Sequence, residues 1–260
     1  MTNTLGRGPN HRWQLDADHV DMSDAGRPPR RMTFDAQPQK LTIDLRRTAL
    51  VIVDMQNDFC AEGGMADERG RHLPTGRAPV EPLNRLTPAL RDLEVPVIWL
   101  NWGNRPDQAN LPPNQLRIFK PTGEGLGLGD PLPANGSPVL QKGSWGAAIY
   151  SALKVSERDL HVDKYRLSGF WDTPLDSILR NLGVRTLLFA GVNIDQCVLS
   201  TLADASFLGY GCVLLEDCCA TASPQFCTDA TLWNVQKCFG FTSKSDAVLA
   251  GLGEIAGLSS

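Results

Sequence analysis

Three residues of this 260-residue chain have types and contexts that could do covalent chemistry. Cys197 lies in "GVNIDQCVLS" (191–200), just after the apolar run "TLLFA" and where a helix is expected to begin. Unpaired N–H groups and the positive end of a helix dipole favour a thiolate there. Asp54 and Lys164 each close an apolar run, "TALVIVD" and "DLHVDK". A lysine near the cysteine would lower its pKa further. An aspartate within reach could accept the thiol proton and return it to a leaving amine. The N–H groups of the turn could hold the oxyanion of a tetrahedral intermediate. Together these parts would make a cysteine hydrolase acting on a carbonyl–nitrogen bond. Each residue also has an ordinary reading: Cys197 as core filler, Asp54 as a turn residue, Lys164 as a solvated strand-end charge. Spacing alone does not choose between them.

The elements that must position these residues are legible as apolar runs. "TALVIVDM" (48–55), "VPVIWLN" (95–101), "DLHVDK" (159–164), "RTLLFAGV" (185–192), "GCVLLED" (211–217) and "GFT" (240–242) read as six strands, several of them continuous apolar runs of the kind buried on both faces. Helices are expected over 79–94, 144–153, 173–183, 195–209, 223–238 and 243–252. The third is well marked, with Thr173 as cap, Pro174 in the first turn, Asp176 toward the dipole and Gly183 at the end. Strands alternating with helices predict an α/β fold with a mainly parallel sheet covered on both faces. In such sheets ligands bind beyond the carboxyl ends of the strands, where strand order reverses. Residues 1–45 are polar and without periodicity, and are expected to form an extended arm with little structure of its own, suited to packing on a neighbouring subunit; residues 46–260 form the domain. The glycine- and proline-rich segment 103–143 is too long for a simple connection and reads as a functional loop.

Bulk properties exclude several classes. A formal charge of −4 gives no general attraction to nucleic acid or anionic membrane. No apolar run reaches the roughly 18 residues of a membrane span, and the first residues lack the apolar core of a secretory signal. A cytoplasmic protein is expected. Cys60, Cys197, Cys212, Cys218, Cys219, Cys227 and Cys238 show neither a disulfide framework nor zinc-finger spacing. The adjacent pair Cys218–Cys219 could be redox-active, but two thiols after a strand are more often inert. His11, His19, His72 and His161 are scattered, so no histidine-rich metal site and no cofactor is expected.

"LVIVDMQNDFC", "VDKYRLSGFWDTPL" and "GVNIDQCV", in that order, resemble the three signatures of the isochorismatase-like cysteine hydrolases. The likeness covers roughly residues 45–250. It implies a Rossmann-like three-layer α/β/α sandwich and a catalytic triad at Asp54, Lys164 and Cys197. It also implies a cis peptide at Val192–Asn193, with the N–H groups of Asn193 and Cys197 as oxyanion hole. "SGFWDTPLDSILRNLG" and "KGSW" resemble ureidoacrylate amidohydrolases, whereas "NRPDQANLPPN", "GEGLGLGDPLP" and "LLEDCC" look more like biuret hydrolases. Both groups act on ureido compounds, so the resemblance implies a metal-free amidohydrolase for a small ureido or N-carbamoyl substrate, working as a homo-oligomer (dimer or tetramer). Two rival activities stay open: vinyl-ether hydrolysis, which does not need the cysteine, and a non-catalytic scaffold role. Phe59, Trp102, Trp145 and Phe170 could wall the pocket, and Gln236 could bind a substrate amide. The Asn193 side chain could touch substrate or only brace its turn. A substrate carboxylate would need a cation, for which Arg105, Arg117 and Arg166 are candidates; the balance leans to a neutral substrate end held by Asn193 and Gln236.

Overall fold

The computed structural model describes residues 3–6, 12–23 and 28–257. Ahead of the main domain come β1 (Asn3–Leu5), β2 (Trp13–Leu15) and β3 (Val20–Asp21), a small antiparallel sheet, and then the hairpin of β4 (Arg31–Phe34) and β5 (Leu41–Asp44). The main sheet is built from β6 (Thr48–Val53), β7 (Val97–Trp102), β8 (Leu160–Lys164), β9 (Thr186–Val192), β10 (Gly211–Ala220) and β11 (Phe241–Ser243). These are the six strands read from the apolar runs. Their order across the sheet is β11-β10-β9-β6-β7-β8, and every neighbouring pair is parallel. Strand order therefore reverses between β6 and β9, the position at which a doubly wound sheet opens a crevice.

All six residues of β6 are buried. Because successive side chains of a strand point to opposite faces, Ala49, Val51 and Val53 join one hydrophobic core and Leu50 and Ile52 the other. On the first face lie α6 (Leu175–Asn181), α7 (Leu199–Phe207) and, farther along, α8 (Gln225–Asn234); on the second lie α4 (Val80–Asp92) and α9 (Ser245–Gly257). Leu83, Leu86 and Leu90 of α4 recur at helical spacing and are fully buried. Each contributes about 1.5–3 kcal/mol by leaving water. The result is a three-layer α/β/α sandwich. Three short helices, α1 (Asn57–Cys60), α2 (Met65–Glu68) and α3 (Leu73–Arg77), follow β6, and α5 (Pro113–Phe119) interrupts the long loop.

Two expectations need correction. Residues 31–44 are not a plain extended stretch: Met32, Phe34 and Ile43 are buried in the second core and α9 packs on β4. Gln37 exchanges two backbone hydrogen bonds with Thr242 at the sheet edge, of 2.8 and 2.9 Å. Residues 1–2, 7–11 (with His11) and 24–27 of the expected arm lie outside the described residues. The second correction concerns 144–153, which is not a helix. Its backbone groups are spent elsewhere: Asn57 N–H bonds Ala148 O, Asp58 N–H bonds Gly146 O and Tyr150 N–H bonds Met55 O. The segment is thus pinned along the chain that follows Asp54 rather than coiled on itself.

Candidate active site

Asp54 and Lys164 arrive at one point because β6, β7 and β8 are adjacent and in register. β6 ends at Val53, and Asp54 turns the chain with a positive φ of 51°, a conformation in which aspartate is enriched. Its N–H donates to Leu100 O on β7 (2.9 Å). Trp102 of β7 pairs with Lys164 of β8. Lys164 Nζ lies 2.8 Å from Asp54 Oδ2, and both side chains are fully buried. The same ammonium donates to Arg166 O (3.2 Å) and sits 4.4 Å from the centroid of the Trp102 ring. Gln56 fastens the floor: its Oε1 accepts from Trp102 N–H (2.8 Å) while its Nε2 donates to Trp102 O and Ala147 O (both 2.7 Å).

Cys197 reaches this pair from the other side of the switch point. β9 runs so close to β6 at Gly191 (φ +110°) that a Cβ there would stand 2.0 Å from Val53 O, so only glycine fits. The Val192–Asn193 peptide is cis. The chain then takes a wide π-helical turn over Ile194–Val198 before α7 begins. Cys197 therefore lies inside that turn and not at the first residue of a regular helix. It is almost fully buried, its carbonyl accepts from Thr201 Oγ1 (2.7 Å), and its thiol feels both Asp54 and Lys164 electrostatically.

The electrostatics differ from a lysine-activated thiolate. Burial pushes the Cys197 thiol up to about 12; Lys164 pulls it down, and Asp54 pushes it up. Burial likewise raises the Asp54 carboxyl, against the pull of Lys164. For Lys164 burial acts to lower the pKa, but Asp54 and Cys197 outweigh it and hold the ammonium above its ordinary value. One cation thus faces two groups, and burial pushes both of them toward their neutral forms.

A cavity of about 460 Å³ opens onto Cys197. Phe59 and Trp102, both expected, line it, as do Asn193 and Cys197. Asn193 Nδ2 donates to Gln196 Oε1 and Gln196 Nε2 to Ser223 Oγ (each 3.3 Å), so an amide–amide–hydroxyl chain runs along the rim, braced within the turn as well as facing the cavity. Ile118 and Phe119 of α5 form part of the wall, which brings the long 103–143 segment into the site.

The other expected pocket residues are not brought there. Trp145 is 43% exposed and outside the lining, because the 144–153 segment offers its backbone, not this ring, to the site. Phe170 packs on Tyr210 with centroids 6.0 Å apart. Gln236 donates to Thr242 Oγ1 (2.8 Å) and is spent on the sheet edge. Arg105 pairs with Asp107, and Arg166 with Asn110 O and Asp172; neither they nor Arg117 line the cavity. The arginines that do are Arg69 and Arg71, with His72 beside them, and sequence reasoning missed all three in this role. They sit in an aperiodic turn after α2, where neither spacing nor hydrophobic pattern distinguishes them from solvated charges. Cys218 and Cys219 are buried free thiols, both pushed up by burial. Among the described residues no group of three His, Cys, Asp or Glu side chains could hold a metal ion, and no helix is long and apolar enough to cross a membrane.

Comparison with known proteins agrees with this fold. The isochorismatase domain model matches residues 48–247. The ureidoacrylate amidohydrolase RutB of Klebsiella variicola (strain At-22) is 34% identical over 237 residues, 88% of this chain and 96% of that protein. The RutB protein of Klebsiella pneumoniae (strain 342) matches to the same extent, also at 34%. Among solved structures, N-carbamoylsarcosine amidase from Thermoplasma acidophilum superposes with a TM-score of 0.59 at 27% identity, covering 77% of this chain and 97% of the other. A cysteine hydrolase from Pseudomonas syringae pv. phaseolicola 1448A gives 0.68 at 24% identity over 82% and 95%, a likeness of fold. A domain match over 48–247 and a relative 34% identical across 88% of the sequence show that this chain belongs to the isochorismatase family.

Proposed function

We propose that the protein is an amidohydrolase that cleaves a carbon–nitrogen bond of a small ureido or N-carbamoyl compound, with Cys197 as nucleophile. The observation that carries this reading is the fully buried Asp54–Lys164 pair, 2.8 Å apart, electrostatically coupled to a cysteine that opens on the cavity. The names of the relatives support it: one group acts on ureidoacrylate, and a structural neighbour is an N-carbamoylsarcosine amidase.

In this reading substrate binding brings the ureido carbonyl over Sγ. The thiol proton moves to Asp54 as sulfur attacks the carbonyl carbon, and the N–H groups of Asn193 and Cys197 receive the oxyanion. Because the proton passes between two groups that share one cation, the buried site stays neutral before and after the transfer, and no net charge has to be buried during the step. Asp54 then protonates the departing nitrogen, the carbon–nitrogen bond breaks, and a thioester remains. Asp54 next takes a proton from water, which attacks the thioester and releases the acid and the thiol. Lys164 and the turn N–H groups supply the positive potential throughout, so the scheme draws on no metal.

The test is ammonia release from ureidoacrylate, biuret, N-carbamoyl amino acids and nicotinamide, before and after prolonged EDTA treatment. Turnover of a ureido or N-carbamoyl compound that survives chelation is the expected result. Turnover confined to nicotinamide, or lost with EDTA and restored by zinc, would overturn the reading.

A further inference from the structure

The lining of the cavity is charged in one sense only. Arg69 and Arg71 face it from the turn after α2, and among the described residues no aspartate or glutamate belongs to the lining. This runs against the chain as a whole, whose formal charge is −4. It also lies outside the catalytic balance, since the charge of Lys164 is matched by Asp54.

Arg69 is held in place: its Nη2 donates to Phe119 O (2.7 Å) and Leu126 O (2.6 Å), and its guanidinium stands 5.8 Å from the centroid of the Phe119 ring. Both carbonyls are neutral; the nearby Asp58 carboxyl acts favourably on the Arg69 charge, against burial and the repulsion from Arg71. Arg71 has no hydrogen-bond or ion-pair partner for its side chain among the described residues, and it repels Arg69. Two arginines thus line a cavity whose wall, among the described residues, carries no carboxylate. Arg71 is exposed and without a side-chain partner, so it is free to meet an anion, and a planar guanidinium matches a carboxylate with two parallel hydrogen bonds. The polar groups on the Cys197 side, Asn193, Gln196 and Ser223, are neutral amides and a hydroxyl, suited to an uncharged ureido end.

We propose that Arg71, with Arg69 beside it, forms a carboxylate subsite, so that the preferred substrate is a ureido acid: a neutral –NH–CO–NH₂ end at Cys197 and a carboxylate at the turn after α2. This rests on the amidohydrolase reading above and narrows it. It reverses the lean of the sequence toward a neutral substrate end, because the cation comes from a turn that sequence reasoning passed over.

The test compares ureidoacrylate with its uncharged methyl ester and with biuret, using the wild type, Arg71→Ala and Arg71→Lys. The wild type is expected to favour the acid over the ester by at least ~10-fold in kcat/KM. Arg71→Ala should collapse that preference mainly through KM, and Arg71→Lys should restore part of it by keeping the charge. Equal turnover of acid and ester by the wild type, or a preference that survives Arg71→Ala, overturns the subsite. Calorimetry on the Cys197→Ala protein separates this from the chemistry. Binding of 3-ureidopropionate that exceeds binding of its neutral amide, and that depends on Arg71, supports the subsite even if no ureido compound is turned over, a result that would sink the amidohydrolase reading alone. Equal binding of the two overturns the subsite whatever the turnover.

Discussion

Lys164 Nζ and Asp54 Oδ2 stand 2.8 Å apart with no solvent exposure on either side chain, joined across three strands of one parallel sheet. A buried pair of this kind depends on both partners. Asp54→Asn or Lys164→Met alone leaves an uncompensated or poorly solvated group, and each is expected to cost about 3–5 kcal/mol of unfolding free energy. The double variant should recover most of that loss while staying inactive. Urea denaturation of the four proteins checks this, and additive losses would show the pair to be uncoupled.

Cys197→Ser should fold as the wild type does and lose at least ~10³-fold in kcat, because a hydroxyl surrenders its proton far less readily than a thiol. Circular dichroism alongside turnover decides it. Near-wild-type turnover would remove Cys197 from the chemistry.

The pH dependence follows from the directions of the shifts. Asp54 must be ionised to accept the thiol proton, and burial raises its carboxyl above the ordinary 3.8, so kcat/KM should rise with pH through a midpoint above that value. Cys197, at about 12 against an ordinary 9.0, stays protonated at neutral pH. Iodoacetamide should label the exposed Cys238 quickly and Cys197 slowly, with the Cys197 rate still rising above pH 9.0. Rapid labelling of Cys197 at neutral pH in the free enzyme would contradict a resting thiol.

Gly191→Ala should destabilise the fold by at least ~2 kcal/mol, because the residue holds φ +110° and its added Cβ would meet Val53 O at 2.0 Å. Trp145→Ala, on an exposed ring outside the cavity, should stay within about 0.5 kcal/mol of the wild type. Thermal unfolding of the two variants distinguishes a structural glycine from a surface aromatic.

What could be read from the chain divides along physical lines. β6, β7 and β9 were legible because burial on both faces leaves an unbroken apolar run, as in "TALVIV". Thr173 reads as the cap of α6; the cap position itself falls on Pro174, one residue later, while Thr173 Oγ1 accepts from Leu175 N–H (3.1 Å). The β4–β5 hairpin was not: its strands are four residues each, and only Met32, Phe34 and Ile43 are buried among polar neighbours. The helix expected at 144–153 failed because the residues that claim its backbone, Asn57, Asp58 and Met55, lie about ninety positions earlier. Arg69 and Arg71 escaped for a related reason. A turn has no period, so which of its charges faces a cavity is settled only by what packs against it.

Gln56 separates two responsibilities. It clamps Trp102 through both N–H and C=O and holds Ala147 as well, so the platform beneath Lys164 is fastened by strand ends and by the chain directly after them. The opposite wall, Ile118 and Phe119 with the arginine turn that grips Phe119 O and Leu126 O, meets the platform through the Phe119 ring, whose centroid lies 5.2 Å from that of Trp102. The platform is held by Gln56 independently of that wall, so substitutions in the wall that keep the Phe119 ring can accumulate without unfastening it. A lineage could exchange one ureido compound for another by rewriting residues 69–72 and 113–126, leaving Asp54, Lys164 and Cys197 where they are.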